Sequence, residues 1–362
     1  MDNKPKIDLK VLGYDGLSNF FKRLGLPDFR VKQIIHWIYE KGVTFIDEIT
    51  VFSKSLREEL NKKALISNLE VVSSLLSSDG SEKFLFRLHD GSFIESILMP
   101  EDDRLSLCIS TQVGCAMGCR FCRTATIGFL RNLHVHEIVD QVISVTRMRR
   151  RPTNIVLMGM GEPLMNLKEV SEALHRFVNW MGFSPRRITL STVGIIRELE
   201  RLPEAAPPVN LAISINAPDN QLRDYLMPIN KSNPLDKLIN TLRSFPIKKG
   251  RRLTIEYVLI EGINDSIYHA DNLSKILKGL PCKINLIPFN PYEDAPFDKP
   301  NNDVIETFQD YLIKKRFTVF IRKSRGIDIF GACGQLAGNL AVGKYKKSGG
   351  PNDYIEGHQQ NG

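Results

Sequence analysis

Three cysteines, Cys115, Cys119 and Cys122, stand in a C-x3-C-x2-C spacing, with Gly114 and Gly118 relaxing the backbone around them. Cysteine thiolates bind iron–sulfur clusters, usually four at a time, so three on one short loop would leave one iron with an open position for a substrate or cofactor. Zinc is the alternative, with His134 or His136 completing a Cys3His site, although zinc sites usually pair their cysteines as C-x2-C. Buried, inert thiols are the plainer alternative. Cys333, between Gly331-Ala332 and Gly334, is either a small buried hydrophobe or a nucleophile. Cys108 lies in an apolar run and by itself reads as core, as does Cys282. Glu95 interrupts the apolar stretch Phe93–Pro100; it either points to a solvent face or is a carboxylate in apolar surroundings suited to base work.

These residues need elements to hold them. Residues 1–66 read as helical: Gly16–Leu24, a second helix N-capped by Asp28 with Val31, Ile34, Ile35, Ile38 and Tyr39 at helical spacing, and a third from Ser53 to Ala64. The period then changes. Leu69–Leu76, Lys83–Leu88 and Ser92–Met99 read as strands of a short antiparallel meander, with Asp90-Gly91 as a hairpin turn. From about residue 104 the pattern alternates. Strands are expected at 105–110, 154–158, 187–191, 210–215, 253–260, 283–287 and 318–322, with helices at 136–149, 168–181, 195–201, 235–244, 266–277 and 303–315. This alternation predicts βαβ units around a parallel sheet, either doubly wound or a partial βα barrel. Ligands of such folds sit at the carboxyl ends of the strands. The unusual loops fall there: Gly114–Cys122, Gly159–Pro163, Ser191-Thr192, Ser214–Asn216, Pro288–Pro291 and Gly331–Gly334. Six such loops on one rim point to one active site.

The chain of 362 residues is 42% hydrophobic and 25% charged with a net charge of +8, which excludes bulk disorder and collagen-like sequence. Its apolar runs are too short to span a membrane, and the N-terminus has no secretory h-region, so a cytoplasmic protein without a disulfide framework is expected. The tail from Lys344 onward, polar and Gly-rich, reads as a mobile end.

C-x3-C-x-aromatic-C, with Phe121 as the aromatic, resembles the signature of the radical S-adenosylmethionine (SAM) superfamily. Leu157–Asn166, Leu226–Asn230, Gly262–Asp265, Asn285–Asn290, Arg322–Gly326 and Ala332–Gly338 extend the likeness over nearly the whole chain. Together they resemble the RlmN branch of the RlmN/Cfr family of RNA adenine methyltransferases. The resemblance implies an α/β fold: a partial (β/α)6-type radical SAM barrel with an N-terminal helical domain and a short antiparallel meander. The expected organisation is an RNA-binding domain at 1–66, a meander linker at 67–100, the barrel at 101–332 and a catalytic segment with flexible tail at 333–362.

The resemblance also implies roles. Cys115, Cys119 and Cys122 would ligate one [4Fe-4S] cluster, and SAM would be bound by Gly161, Glu162, Ser191, Ser214, Ile215, Asn216 and Asn290. Much of the family has histidine at position 216; Asn216 can donate and accept hydrogen bonds but cannot carry a proton. Cys333 would carry a methyl group as S-methylcysteine, Glu95 would accept a proton, and Cys108 would resolve the covalent protein–RNA intermediate through a transient disulfide. The implied product is C2-methyladenine in 23S rRNA at the peptidyl transferase centre and in tRNA just 3′ of the anticodon. The C8-methylating branch is the alternative, although Glu162-Pro163 looks like the C2 branch. A zinc-stabilised RNA-binding protein without catalysis is the alternative from another class. A flavodoxin-like electron donor, a thiol reductant and a monomer are expected. Two basic runs, Arg147–Arg151 and Lys248–Arg252, are either RNA contacts or solvated cations at helix ends. The target adenine must leave its stack to reach a barrel mouth.

Overall fold

The computed structural model describes residues 5–337; the predicted mobile tail and the end of the catalytic segment lie outside the described residues. The N-terminal unit opens with β1 (Ile7–Asp8) and continues through α1 (Tyr14–Arg23), α2 (Phe29–Ile35) and α3 (Lys54–Lys63) to β2 (Ala64–Leu65), which pairs parallel with β1. Leu17, Phe20 and Phe21 of α1 meet Val31, Ile34 and Ile35 of α2 in a buried core, as their helical spacing requires. Past α2 the chain widens into a π turn at His36–Glu40, which keeps Ile38 and Tyr39 buried. Ser53 caps α3, accepting from the Leu56 N–H at 3.3 Å. Asp28 does not cap α2. Its backbone is already helical, and its carboxylate accepts from the Ser18 hydroxyl at 3.2 Å, tying α1 to α2 instead.

The meander is β3 (Glu70–Leu76), β4 (Glu82–Arg87) and β5 (Phe93–Glu101), with Gly91 at a φ of 81° in the predicted hairpin turn. It does not stand apart. β5 pairs antiparallel with β6 (Arg104–Cys108), and β6 begins the parallel half of the same sheet. The short ribbon β7 (Gln112–Gly114) and β8 (Phe129–Asn132) brackets the cysteine loop, with the single turn α4 (Arg123–Thr126) between them. Then follow α5 (Val135–Met148), β9 (Asn154–Leu157), α6 (Leu167–Asn179), β10 (Ile188–Thr192), α7 (Ile196–Ala205), β11 (Asn210–Ser214), α8 (Asn220–Leu226), α9 (Leu235–Ser244), β12 (Leu253–Leu259), α10 (Ile267–Ile276), β13 (Cys282–Pro288), α11 (Asn302–Lys314) and β14 (Val319–Ile321).

The ten-stranded sheet runs β14-β13-β12-β11-β10-β9-β6-β5-β4-β3. Strands β6 and β9 to β14 are parallel and follow chain order without reversal, so successive right-handed crossovers put the helices on one face. A doubly wound sheet would reverse its order at a switch point. No pairing joins β14 to β3 among the described residues, so the barrel is partial and open. Register assigns the two faces. Thr192, Ile213, Ile255, Ile284 and Val319 form one buried row; Ser214, Glu256, Asn285 and Phe320 form a row of the other face, and Ser191, Ala212, Thr254 and Lys283 another. The helices cover the apolar face, and the polar face lines the interior.

The N-terminal unit docks on α5 and α6 through buried polar groups. Lys10 Nζ lies 2.5 Å from Asp140, whose other oxygen accepts from the Leu69 N–H at 2.5 Å. Arg176 of α6 is buried and donates to the Lys10 carbonyl at 2.6 Å and the Tyr39 hydroxyl at 2.8 Å, with its guanidinium over Trp180.

Candidate active site

The cysteine loop leaves the C-terminal end of β6, and its geometry depends on glycine. Gly114 has a φ of 75°, and a Cβ there would fall 1.8 Å from the Gly128 carbonyl oxygen; that carbonyl accepts from the Cys115 N–H at 2.8 Å. The two ends of the loop are thereby closed on each other. Arg120 N–H donates to Leu226 O at 3.0 Å, which fixes the loop against α8. Burial raises all three thiol pKa values, that of Cys115 to about 12, and the charge of Cys122 pushes Cys115 and Cys119 further up. The three sulfurs thus share one electrostatic neighbourhood. Among the described residues, no three of His, Cys, Asp or Glu converge on a single ion position. His134 and His136 stack on each other at the start of α5, 5.7 Å between ring centres. Three thiols on one short loop are the donor type that iron–sulfur clusters take, each ligand on its own iron.

The C-terminal segment crosses this loop. Arg123 N–H donates to Gly334 O at 2.8 Å and Thr124 Oγ1 to Leu336 O at 2.8 Å; Asn290 Nδ2 reaches Cys333 O at 3.2 Å. Gln335 accepts from the Ala332 N–H and donates to Pro291 O at 2.7 Å. Cys333 is exposed, yet surrounded closely enough that desolvation raises its thiol to about 11, against the lowering effect of Arg322. Cys108, at the end of β6, is raised to about 12 by burial and by the charge of Cys333, with Arg322 again opposing. The two thiols therefore face a common guanidinium.

Glu95 lies on β5 two residues from Ile97, the register partner of Cys108, and so shares its face of the sheet. It is 1% exposed and points inward, not to solvent. Lys83 Nζ sits 3.2 Å from Oε1, and the Ala337 N–H donates to Oε2 at 2.7 Å, so the carboxylate also meets the C-terminal segment.

The predicted SAM residues divide into two groups. Gly161, at a φ of 103°, packs against Gln112, where a Cβ would come within 2.6 Å of that side chain. Ser191 donates to Glu256 at 3.2 Å, and Ser214 and Asn290 lie on the same strand-end rim. Glu162 and Asn216 are engaged structurally. The Glu162 carboxylate accepts from Thr192 Oγ1 at 2.5 Å, Val193 N–H at 2.9 Å and Leu164 N–H at 3.0 Å; burial still raises its pKa to about 7. Asn216 has a left-handed φ of 59°, a conformation asparagine tolerates. Its carboxamide accepts from the Val258 N–H at 2.8 Å and its carbonyl accepts from Asn264 at 2.9 Å. Ile215 is fully buried, and its backbone is engaged as well: its N–H donates to the Glu256 carbonyl at 3.0 Å and its carbonyl accepts from Arg223 Nε at 3.2 Å.

Three residues escaped sequence reasoning. Glu256 is a buried carboxylate on the inner face of β12; its Oε1 lies 3.8 Å from Arg322 and lacks a hydrogen bond. A charge inside an otherwise apolar strand was the available signal, as for Glu95. Arg223 is fully buried in α8, where it donates to the Val193 carbonyl at 2.6 Å and Asn230 at 2.8 Å, bracing two rim loops. Its helix is seven residues long and was not expected. Lys83 could be found only through its pairing with Glu95.

The basic runs fall on the wrong rim for the mouth. Arg149 and Arg151 precede β9, and Arg251 and Arg252 precede β12, at the N-terminal ends of the strands. Arg149 is paired with Glu82 at 2.7 Å, Arg151 stacks on Phe183, and Arg252 bonds Thr318 at 2.9 Å. Arg149, Arg151 and Arg252 are thus engaged within the fold.

Comparison with known proteins agrees with this architecture. A family model for the ribosomal RNA large subunit methyltransferase N-terminal domain matches residues 7–66, and one for the radical SAM superfamily matches residues 109–271. The dual-specificity RNA methyltransferase RlmN of Geobacter sulfurreducens is 49% identical over 337 residues, covering 92% of this chain and 93% of its own length. The protein of the same name from Pelobacter propionicus is 46% identical over 92% of this chain and 97% of its own. The crystal structure of a radical SAM methyltransferase from Sphaerobacter thermophilus superposes with a TM-score of 0.87 at 41% identity, covering 91% of this chain and 99% of that one.

Proposed function

The chain belongs to the RlmN family of dual-specificity RNA methyltransferases, and from that premise we propose that it methylates C2 of adenine in 23S rRNA and in tRNA. The observation that carries this reading is that Glu95 and Cys108 share one face of the sheet, while the segment bearing Cys333 bonds Glu95 through the Ala337 N–H and the turn after the three-thiol loop through the Gly334 carbonyl. Cys115, Cys119 and Cys122 would hold a [4Fe-4S] cluster, whose open iron would take SAM. When bound, these groups supply a transferable methyl and a radical that abstracts hydrogen.

The chain's own residues do the rest. Cys333 Sγ accepts the methyl by displacement, giving up its proton; its exposure lets both SAM and RNA reach it. The sulfur then carries that carbon to the electrophilic C2 of the adenine. Glu95, fixed by Lys83 and the Ala337 N–H, takes the proton from C2 once the C–C bond has formed, and the single electron left over on the adduct would return to the cluster that supplied one at the start. Cys108 attacks Cys333 Sγ: an S–S bond forms, the S–C bond breaks, and its electron pair passes to the product carbon, which picks up a proton. Arg322, the cation that both thiols sense, favours the thiolate needed for that attack. A thiol reductant then restores both cysteines. A flavodoxin-like donor and a cytoplasmic location accord with this chemistry, and no helix of the described residues is long and apolar enough to cross a membrane.

The test is anaerobic reconstitution with iron, sulfide, SAM and a reductant, followed by nucleoside mass spectrometry of rRNA and tRNA substrates. 2-Methyladenosine in both is expected. Its absence from both overturns the proposal, and 8-methyladenosine would transfer the chain to the other branch.

A further inference from the structure

The mouth of the barrel carries two arginines without a carboxylate partner among the described residues. Arg120 and Arg123 flank Cys122 in the cysteine loop and its following turn. Neither guanidinium makes an ion pair or a hydrogen bond among the described residues; each lies over an aromatic ring instead, Arg120 over Tyr225 at 4.4 Å and Arg123 over Phe330 at 5.5 Å. Both rings are substantially exposed, Tyr225 at 43% and Phe330 at 40%.

The Tyr225 ring and the Phe330 backbone are also held in place. Tyr225 meets the buried Phe297 edge-on at 6.3 Å, and Phe297 rests on Phe289 at 6.1 Å. Phe330 is held at a φ of 51°, a left-handed conformation that costs a bulky residue free energy and persists only where the surroundings impose it. Its carbonyl accepts from Lys83 Nζ at 3.4 Å. All these residues sit on segments that follow strand C-termini, on the rim opposite the two basic runs.

Resting on the functional reading above, we propose that Arg120–Tyr225 and Arg123–Phe330 are two stacking brackets that hold the unpaired nucleotides on either side of the extruded adenine. An aromatic face stacks on any base, and an arginine lying on it adds a cation for the adjoining phosphate. A ring already packed on its neighbours, as Tyr225 is, loses little entropy when a base arrives, which suits a site that must keep an adenine out of its stack. Lys323 and Arg325, on the loop after β14, extend the cationic rim and also lack carboxylate partners among the described residues. The occupant is a single-stranded RNA segment; an RNA helix offers no exposed base faces to such brackets.

The experiment measures binding of an unmodified tRNA transcript to anaerobic holoenzyme by fluorescence anisotropy, across a salt series, with iron content and RNA-free SAM cleavage as internal controls. Tyr225→Ala and Phe330→Ala should each weaken binding about tenfold, the scale of one lost base stack, with both controls unchanged. Tyr225→Phe should retain wild-type affinity, since the ring and not the hydroxyl is the platform. Arg120→Gln should lower the slope of log affinity against log salt by about 0.7, one single-strand phosphate contact. Binding by both alanine variants within twofold of wild type overturns the proposal. So does a loss of affinity that tracks loss of iron, because the rings would then be supports of the cysteine loop. If wild-type holoenzyme neither binds nor methylates the transcript, it is the functional reading that fails.

Discussion

Gly114 shows how one residue can decide whether the cysteine loop exists. Its positive φ costs a non-glycine residue about 1–2 kcal/mol, and a methyl group would collide with the Gly128 carbonyl that closes the loop. Gly114→Ala should therefore bind substoichiometric iron after reconstitution while keeping its far-UV circular dichroism, because the loop lies outside the ten-stranded sheet. The two reactive thiols should separate by phenotype. Cys333→Ala should form no 2-methyladenosine, whereas Cys108→Ala should accumulate a covalent protein–RNA adduct, visible as a shifted band on a denaturing gel. An adduct-free Cys108→Ala variant with normal turnover would remove that residue from the mechanism. Both thiols carry raised pKa values, Cys108 at about 12 and Cys333 at about 11, with burial as the leading cause, so the thiolate forms needed for chemistry are scarce at neutral pH. Turnover limited by either thiolate should rise with pH through the neutral range.

At the scale of elements, the C-terminal segment is held by a turn far away in sequence. Asp79, between β3 and β4, accepts from the Gly326 N–H at 3.0 Å, and Asp328 accepts from the Ser77 hydroxyl at 2.5 Å and the Ser78 N–H at 3.0 Å. Partial burial would raise the Asp79 pKa, but the hydrogen bonds from Gly326, Ser81 and Ser77 outweigh it and lower the carboxyl to about 2. A depressed carboxyl stabilises the fold above its ordinary pKa of 3.8, and that contribution disappears as pH falls towards 2. At neutral pH, Asp79→Asn together with Asp328→Asn should speed hydrogen exchange in residues 326–331 and lower turnover without loss of iron. Unchanged exchange there would mean that the hydrogen bonds to the cysteine loop suffice. The meander thus helps to aim Cys333, besides carrying Glu95.

Over the whole molecule, the N-terminal unit and the barrel share one hydrophobic core and are joined by Lys10–Asp140 and Arg176. Removing one partner of a buried pair leaves an unpaired charge and typically costs about 3–5 kcal/mol. Lys10→Met should accordingly lower the thermal midpoint of the whole chain in one transition, read by calorimetry. Two transitions, with only the first displaced, would show that the two units unfold independently. The mixed sheet adds a second form of unity, since β5 joins the meander to the parallel half and places Glu95 on the face that bears Cys108.

Periodicity and spacing by themselves determined much of this protein. Apolar alternation with intervening helices specified the parallel strands and their order of appearance, because burial of one face leaves a direct trace in sequence. The C-x3-C-x2-C spacing placed three thiols on one loop, since those residues are local in sequence. Tertiary structure decided what depended on contacts between distant segments. Strand order distinguished an open singly wound barrel from a doubly wound sheet, and pairing alone turned Glu95 inward and brought Lys83 to it. Asn216 and Glu162 look like ligand contacts in sequence, yet their side chains satisfy buried backbone groups that no local pattern reveals. The basic runs had the right charge for RNA, but the fold sends them to the rim opposite the mouth. Two arginines without carboxylate partners, Arg120 and Arg123, remain beside the cysteine loop. Charge is written in composition; which surface displays it is settled only when every strand has its neighbour.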